Sequence, residues 1–430
     1  MIEIYFETYG CTANYNSSEI MKGLVLQAGF NITNNPDFAD IIVINSCIVK
    51  SPTEEKIRRK VFDFLKNNKK VILTGCMPRI NRNKLKKQNL FLLDTSHIKD
   101  INNIIRDIFQ GTYNPNKYLT HRKEIKLCLP KVPKEKIIGI TQISEGCLGN
   151  CTYCITRLAK GRLFSYPKNK IIKSIKSDLD AGCKEIWITS QDCASYGNDN
   201  KKYLLPELLK EITKIKKPFF LRIGMMNPNN VLKILPQLIE IYKNKKIFKF
   251  LHIPIQSGSN KVLKDMNRKY TKKDIIKIVK EFRKNFPEMH LSTDIIVGYP
   301  TESEKDFKET INLIKKINPE TLNISKFWPR PMTPASKLKQ LSPEILKKRT
   351  IKLAKLSKEI CLKSQKKFLN KEFRVLVDKK GIENFKNTYL ARDENYRLFA
   401  VASNKNILGK RIKVKVKKPT AHYLISEILE

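Results

Sequence analysis

The sequence predicts an α/β protein of three parts: an open parallel α/β sheet, an incomplete parallel (β/α)6 barrel and a small antiparallel β-barrel. Three observations carry this. Short apolar strands alternate with amphipathic segments from the first residue to about 115. The alternation resumes on a larger scale from 136 to about 335, and the final stretch switches to a strict period of two.

In the first part, strands are expected at Ile2–Glu7, Asp40–Asn45, Val71–Thr74 and Leu90–Leu93, with helices starting near Ser17, Pro52 and Asn81. Residues 113–135, with Pro115, Pro130 and Pro133, read as a linker. Six further strands are expected at Ile137–Ile143, Glu185–Ser190, Phe219–Ile223, Phe250–Ile255, Leu291–Val297 and Leu322–Phe327. In parallel barrels the reactive groups sit at the carboxyl ends of strands. A helical connection runs from Pro343 to about Leu369.

The strict alternation of Arg411-Ile-Lys-Val-Lys-Val-Lys puts Ile412, Val414 and Val416 on one face and Arg411, Lys413, Lys415 and Lys417 on the other. With Phe373–Val377 and Leu398–Ala402 it predicts a small barrel with a basic outer face. Tyr389, Tyr396 and Phe399 offer either core or a stacking surface for bases, core being the ordinary role. The expected units are therefore 1–115, 136–365 and 366–430.

A length of 430 residues with 41% apolar content is enough for several cores, and no apolar run reaches the ~18 residues of a membrane span. The start, Met1-Ile2-Glu3-Ile4, lacks the basic region of a secretory signal, and no hydrophobic tail precedes Glu430. The expectation is a cytoplasmic protein without a membrane partner. A net charge of +43 favours a polyphosphate partner, nucleic acid above all. Lysine-rich compositional drift accounts for part of it.

Ten cysteines in such a chain argue for metal or redox chemistry rather than disulfides. In Cys147-Leu-Gly-Asn-Cys151-Thr-Tyr-Cys154, three thiolates fit three irons of one [4Fe–4S] cube and leave the fourth open for a ligand. Zinc is the competing reading, but it normally takes four ligands, and no matching His or Cys lies nearby. Cys11, Cys47 and Cys76 each follow a strand of the first part. The carboxyl ends of parallel strands share one edge, so these three are expected to converge on a second cluster. Any one of them alone would read as a buried small hydrophobe. Cys128, Cys183 and Cys361 read as packed thiols, and Cys193 as a strand-end residue bordering the barrel cavity.

The spacing of Cys147, Cys151 and Cys154, with Tyr153 before the last, resembles the signature of radical S-adenosylmethionine (SAM) enzymes. The wider pattern resembles the methylthiotransferase family within them. Blocks in family order are Glu7-Thr-Tyr-Gly-Cys-Thr-Ala-Asn, Asn45-Ser-Cys, Thr74-Gly-Cys-Met-Pro-Arg, Ser144-Glu-Gly-Cys, His252-Ile-Pro-Ile-Gln-Ser-Gly-Ser, Thr293-Asp-Ile-Ile-Val-Gly-Tyr-Pro and Pro329-Arg-Pro-Met-Thr-Pro-Ala. Glu185-Ile-Trp-Ile-Thr-Ser, Leu221-Arg-Ile-Gly-Met and Phe327-Trp-Pro-Arg-Pro resemble the archaeal and eukaryotic branch acting on threonylcarbamoyladenosine. Met332, where glycine is usual, and Gln191, where that branch commonly has Glu, depart from the pattern.

The resemblance implies that Cys147, Cys151 and Cys154 hold a SAM-cleaving [4Fe–4S] cluster and that Cys11, Cys47 and Cys76 hold an auxiliary one. It implies hydrogen abstraction from C2 of an adenine beside the tRNA anticodon and insertion of a methylthio group, with a low-potential electron donor as partner. A C–H at that carbon is beyond acid–base catalysis. The last part resembles the RNA-binding TRAM domain. Tyr153, Gln256 and Asp294 are placed to contact SAM or substrate, and Arg268 and Arg330 to meet a phosphate or carboxylate, a structural role in strand-end hydrogen bonding being the equal alternative for each. His252 reads as a core or strand-end histidine, and Glu302-Ser-Glu304 as helix capping. The rival readings are an isopentenyl-type adenosine, a ribosomal-protein side chain, and a non-catalytic RNA-binding protein that retains its clusters.

Overall fold

The structure is a computed structural model that describes residues 1–82, 85, 87–381 and 387–429. The first unit is a five-stranded parallel sheet of β1 (Glu3–Thr8), β2 (Asn31–Thr33), β3 (Ile41–Ser46), β4 (Lys70–Gly75) and β5 (Leu90–Leu92), in the order β2-β1-β3-β4-β5. β3 is buried along its whole length, as a strand covered on both faces must be. β2 escaped the sequence reading because Asn31-Ile-Thr is too short to show a period. The first helix is Thr12–Gln27, so it begins five residues before the expected start at Ser17. The helix after β4 is Met77–Asn81, which ends where one was expected to begin. That expected helix runs onto residues 83, 84 and 86, outside the described residues.

The six expected barrel strands are all present: β6 (Ile138–Gln142), β9 (Glu185–Thr189), β10 (Phe220–Ile223), β11 (Phe250–Gln256), β12 (His290–Val297) and β13 (Thr321–Lys326). Between β6 and β9 a short hairpin, β7 (Ser144–Glu145) with β8 (Phe164–Ser165), carries the cysteine loop. The barrel strands form two parallel halves, β10-β9-β6 and β11-β12-β13. The halves meet where Leu221 bridges Ile247 and Met226 N donates to His252 O at 2.9 Å. Period-two alternation sends Ile186, Ile188, Leu221, Ile223, Leu251 and Ile253 outward into the helix-packed core. Trp187, Arg222 and His252 face a cavity inside.

The last unit is a closed barrel of β14 (Glu372–Lys380), β15 (Thr388–Arg392), β16 (Leu398–Ala402), β17 (Arg411–Pro419) and β18 (Leu424–Ile428), in the order β14-β15-β16-β18-β17. β16 and β18 pair in parallel, so the barrel is not wholly antiparallel as expected. Ile412, Val414 and Val416 are buried in its core, as the alternation requires. The basic face is partly answered, since Lys413 pairs with Glu372 at 2.8 Å and Lys417 with Glu427 at 2.7 Å. Tyr389, Tyr396 and Phe399 are all buried and offer no stacking surface. Tyr396 packs on Phe248 and Phe250 at the barrel's lower end. Residues 382–386 and 430 of this unit lie outside the described residues.

The stretch 113–135 is no loose tether, since Tyr118 and Lys126 are fully buried. The helix Thr12–Gln27 pins its far end: Val132 N donates to Glu19 O at 2.9 Å and Lys134 N to Glu19 Oε1 at 3.0 Å. Gly23, on the same helix, meets the Pro130 carbonyl so closely that an added Cβ would stand 2.3–2.5 Å from that backbone. Gly23→Ala is therefore expected to destabilise the chain by about 1–3 kcal/mol in chemical denaturation, despite alanine's better helix propensity.

Burial raises the Glu19 carboxyl to about 7. Between about 4.5 and about 7 the folded chain holds a proton that the unfolded chain has released, so this group's contribution falls as pH rises through that window. In urea melts across that range, Glu19→Gln should remove about 3 kcal/mol of the stability lost between the two ends of the window.

Candidate functional site

The register of the first sheet sets Thr8 opposite Asn45 and Ser46 opposite Gly75, so the three turns that follow share one edge. These turns carry Cys11, Cys47 and Cys76. They are tied laterally by polar side chains. Asn14 donates to Tyr9 O at 2.9 Å and Ser46 O at 3.0 Å. Asn45 donates to Asn14 O at 2.8 Å and to Ser18 Oγ at 2.9 Å. Cys76 N donates to Ser46 O at 2.9 Å, and Met77 N to Ser46 Oγ at 3.1 Å. Two glycines permit the approach. Gly10 (φ +108°) leaves no room for a Cβ beside Cys47, and a Cβ on Gly75 (φ +88°) would stand 2.4 Å from Ser46 O.

The second cysteine set lies in the loop after β7. Gly146 (φ +79°) donates its N–H to Gln191 Oε1 at 2.7 Å, and Cys147 N donates to Gly161 O at 3.2 Å. The loop's far side is anchored on the turn around Asp265–Asn267. Thr152 Oγ1 donates to Asp265 O at 2.9 Å, and Asn267 Nδ2 to Asn150 O at 2.8 Å. Arg268 is half-buried and donates to Cys151 Sγ at 3.2 Å, to Asn227 Oδ1 at 3.0 Å and to Tyr270 OH at 2.8 Å.

A cavity of about 590 Å³ joins the parts. Cys11, Cys47 and Cys76 line one side; Thr189, Gln191, Gly224 and Met225, at barrel strand ends, line the other. The helix Thr156–Lys160, which follows the Cys147–Cys154 loop, borders it through Thr156 and Lys160, and Lys379 of the last unit reaches its rim.

Models of known families match along the chain: the uncharacterized protein family UPF0004 at residues 3–93, the Radical SAM superfamily at 141–314 and the TRAM domain at 366–429. A Pyrococcus horikoshii protein named a probable threonylcarbamoyladenosine tRNA methylthiotransferase is 39% identical over 434 residues, covering 100% of both chains. The chain belongs to the threonylcarbamoyladenosine tRNA methylthiotransferase family.

The Archaeoglobus fulgidus member is 40% identical, with 99% of each chain covered, and the Drosophila melanogaster member 32% identical, with 78% of its length covered. Among solved structures, the radical SAM methyltransferase TsrM from Kitasatospora setae superposes with a TM-score of 0.56 at 12% identity, covering 78% of this chain and 75% of that one. The cobalamin-dependent radical SAM enzyme OxsB gives 0.55 at 11%, covering 83% of this chain and 56% of OxsB's length. These likenesses speak to the fold. A member of the family works with SAM and an iron–sulfur cluster.

The residues present fit such clusters. Gly149 cradles the second set, where a Cβ would stand 3.2 Å from Cys147 Sγ and 3.9 Å from Cys151 Sγ. Burial pushes the Cys76 and Cys147 thiols up to about 12 and raises those of Cys47 and Cys154. Thiolates at these positions need a cationic centre, which an iron–sulfur cube supplies. Among the described residues no three His, Cys, Asp or Glu side chains close on one point as for a single ion. A cube takes each thiolate on a different iron and does not ask for that.

Other expected site residues divide. Gln256 ends β11 at φ +72° beside a register shift, a strand-end placement facing the barrel mouth. Asp294 accepts from His252 Nε2 at 2.9 Å and Asn323 Nδ2 at 2.8 Å. Burial would raise that carboxyl, but His252 outweighs it and holds it low. His252, read as a core or strand-end histidine, lines the cavity. Tyr153 packs against Val262, Met266 and Tyr299.

Arg330 is committed within the chain and is not free for a phosphate. It donates to Ile48 O at 2.7 Å, Ser51 Oγ at 2.9 Å and Glu54 Oε2 at 2.8 Å, clamping the segment after Cys47. Glu302 is likewise no cap. It pairs with Arg349 at 2.7 Å, while Ser303 and Asp306 make the capping box. Met332 sits at φ +61°, which explains why glycine suits that position. Cys183 and Cys361 are buried as expected, but Cys128 is exposed. Cys193 is packed beneath Gly224.

The sequence reading missed Lys160, Arg222 and Trp187 as cavity residues. Inward parity on the strands was the signal for the last two. Lys160 had none, being one of 84 basic residues. A Cβ on Gly146 would stand 2.2 Å from Arg162 O, at a φ that disfavours any side chain. Gly146→Ala should therefore lower iron bound per chain and visible absorption after reconstitution, with unchanged far-UV circular dichroism.

Proposed function

We propose that this protein converts N6-threonylcarbamoyladenosine beside the anticodon of tRNA into its 2-methylthio derivative, using two [4Fe–4S] clusters. The observation that carries the reading is the cavity, with one cysteine triad on its wall and the helix that leaves the other triad's loop at its border. The relatives' names supply the substrate, and the charge of +43 suits a polyanion.

In this reading Cys147, Cys151 and Cys154 hold the cluster that binds SAM, and Cys11, Cys47 and Cys76 hold the auxiliary cluster. When bound, these groups supply the one-electron reduction, the radical able to take an inert C2 hydrogen, and the sulfur. The chain's own residues bind and orient. Arg268 donates to Cys151 Sγ, stabilising negative charge on that sulfur. Gln256, Asp294 and Tyr153 are the candidates for contacting SAM or the nucleoside, Asp294 being held ionised and oriented by His252 and Asn323.

An adenine reaches a cavity of this depth only when flipped from its stack, which costs least in a single-stranded loop. Arg411 and Lys415 on the last unit's exposed strand, and Lys379 at the rim, offer phosphate contacts that position without reading sequence. No helix among the described residues is long and apolar enough to cross a membrane, and the cytoplasm, with its tRNA and a low-potential electron donor, is the proposed setting.

The test is nucleoside mass spectrometry after anaerobic incubation of reconstituted protein, SAM and a low-potential reductant with tRNA bearing threonylcarbamoyladenosine. A methylthio adduct of that nucleoside is expected, and none with Cys151→Ala. Deoxyadenosine without a tRNA product would sink the substrate assignment; absence of both with intact clusters would sink the enzymatic reading.

A further inference from the structure

The short helix leaving the SAM-cluster loop, Thr156–Lys160, ends on a lysine that belongs to the other cysteine set. Lys160 is 4% exposed and lines the same cavity wall as Cys11, Cys47 and Cys76. Its Nζ donates to Thr95 Oγ1 at 2.6 Å and lies 3.3 Å from Glu145 Oε1. Lys126, wholly buried, reaches both oxygens of the same carboxylate at 2.8 Å. Two buried cations thus share one anion. Glu124, next along, is matched by Arg122 at 2.8 Å, and Arg122 is itself shared with Asp100 at 2.8 Å. Lys126 holds the Glu145 oxygens more closely, and Lys160 is the cation of the set that lines the cavity.

Its position says where it is directed. Burial works to discharge Lys160, but Glu145, then Cys76 and Cys11, outweigh it and hold the ammonium charged. A [4Fe–4S] cube on three thiolates is anionic overall, and it becomes more so when reduced or when it takes on a sulfur anion. A buried cation on the same cavity wall is screened far less than a surface charge.

We propose that Lys160 is the fixed counter-charge of the auxiliary cluster, held in place by Glu145 and Thr95, and that it favours that cluster's more negative states. This rests on the auxiliary-cluster assignment above. The residue acts on the cluster from outside its ligand shell, as partners around metal sites do, and raises its reduction potential.

The experiment uses full-length protein carrying Cys147→Ala, Cys151→Ala and Cys154→Ala, reconstituted anaerobically, so that any cluster signal is the auxiliary one. Redox titration followed by electron paramagnetic resonance is expected to give a lower midpoint potential for Lys160→Met and a near-parental one for Lys160→Arg, which keeps the charge. Lys126→Met leaves Glu145 to Lys160 alone, offsetting that ammonium, and should lower the potential to a smaller extent. In the chain with all six cysteines, Lys160→Met should slow methylthio transfer roughly 10–100-fold.

Parental potentials in both methionine variants, with iron content intact, would overturn the proposal and leave an ordinary inter-unit ion pair. A fall in Lys160→Arg as large as in Lys160→Met would do the same. Because no tRNA is present, a wrong substrate leaves the titration valid, whereas absence of any cluster in the parent would overturn this inference together with the cysteine assignment.

Discussion

A buried carboxylate sits where three parts of the chain meet, and much else depends on it. Glu145 immediately precedes the glycine that opens the Cys147–Cys154 loop; Lys126 comes from the connecting segment; Lys160 follows the loop; and Thr95 belongs to the first sheet's unit. Breaking one member of such a set strands a charge in a low-dielectric interior, at a cost of about 3–5 kcal/mol. The two cysteine loops are therefore fixed relative to each other by electrostatics as well as by packing. Arg330, clamping the segment behind Cys47 through Ile48, Ser51 and Glu54, repeats the device on another side of the cavity.

Close backbone approach is the second constraint. Gly10, Gly75 and Gly146 adopt positive φ where the chain turns from a strand into a cysteine loop, and each meets backbone or thiol at a distance that no side chain tolerates. The polar tie of Asn14, Asn45 and Ser18 then holds the turns in register. Neither feature adds chemistry. Both fix distances, and a thiolate ligand set is only as good as its distances.

Strand order and cysteine placement were legible in the sequence because both follow from short-range periodicity. Six strands of the barrel fell within a residue or two of expectation, since alternating burial writes itself into the chain. The failures share a cause. β2 carries too few residues for a period to emerge, and the parallel pairing of β16 with β18 is decided by tertiary closure. The partners of His252, Arg330 and Glu302 were not foreseen because they lie 42, 276 and 47 positions away in sequence. A buried lysine such as Lys160 looks like any solvated one until the fold says what surrounds it.

The last unit does more than its matched domain name suggests. Tyr396 packs on Phe248 and Phe250, with Arg392 stacked on its ring at 3.9 Å and Arg222 of the barrel at 5.4 Å. Lys249 N donates to Glu394 O at 2.9 Å, and Arg397 reaches Glu288. This turn is the stopper of the barrel. A shortened chain lacking it would leak from below, admitting water and small oxidants to a compartment meant for radical chemistry. Loss of activity on truncation would then report flooding of the reaction chamber as much as a weaker grip on RNA.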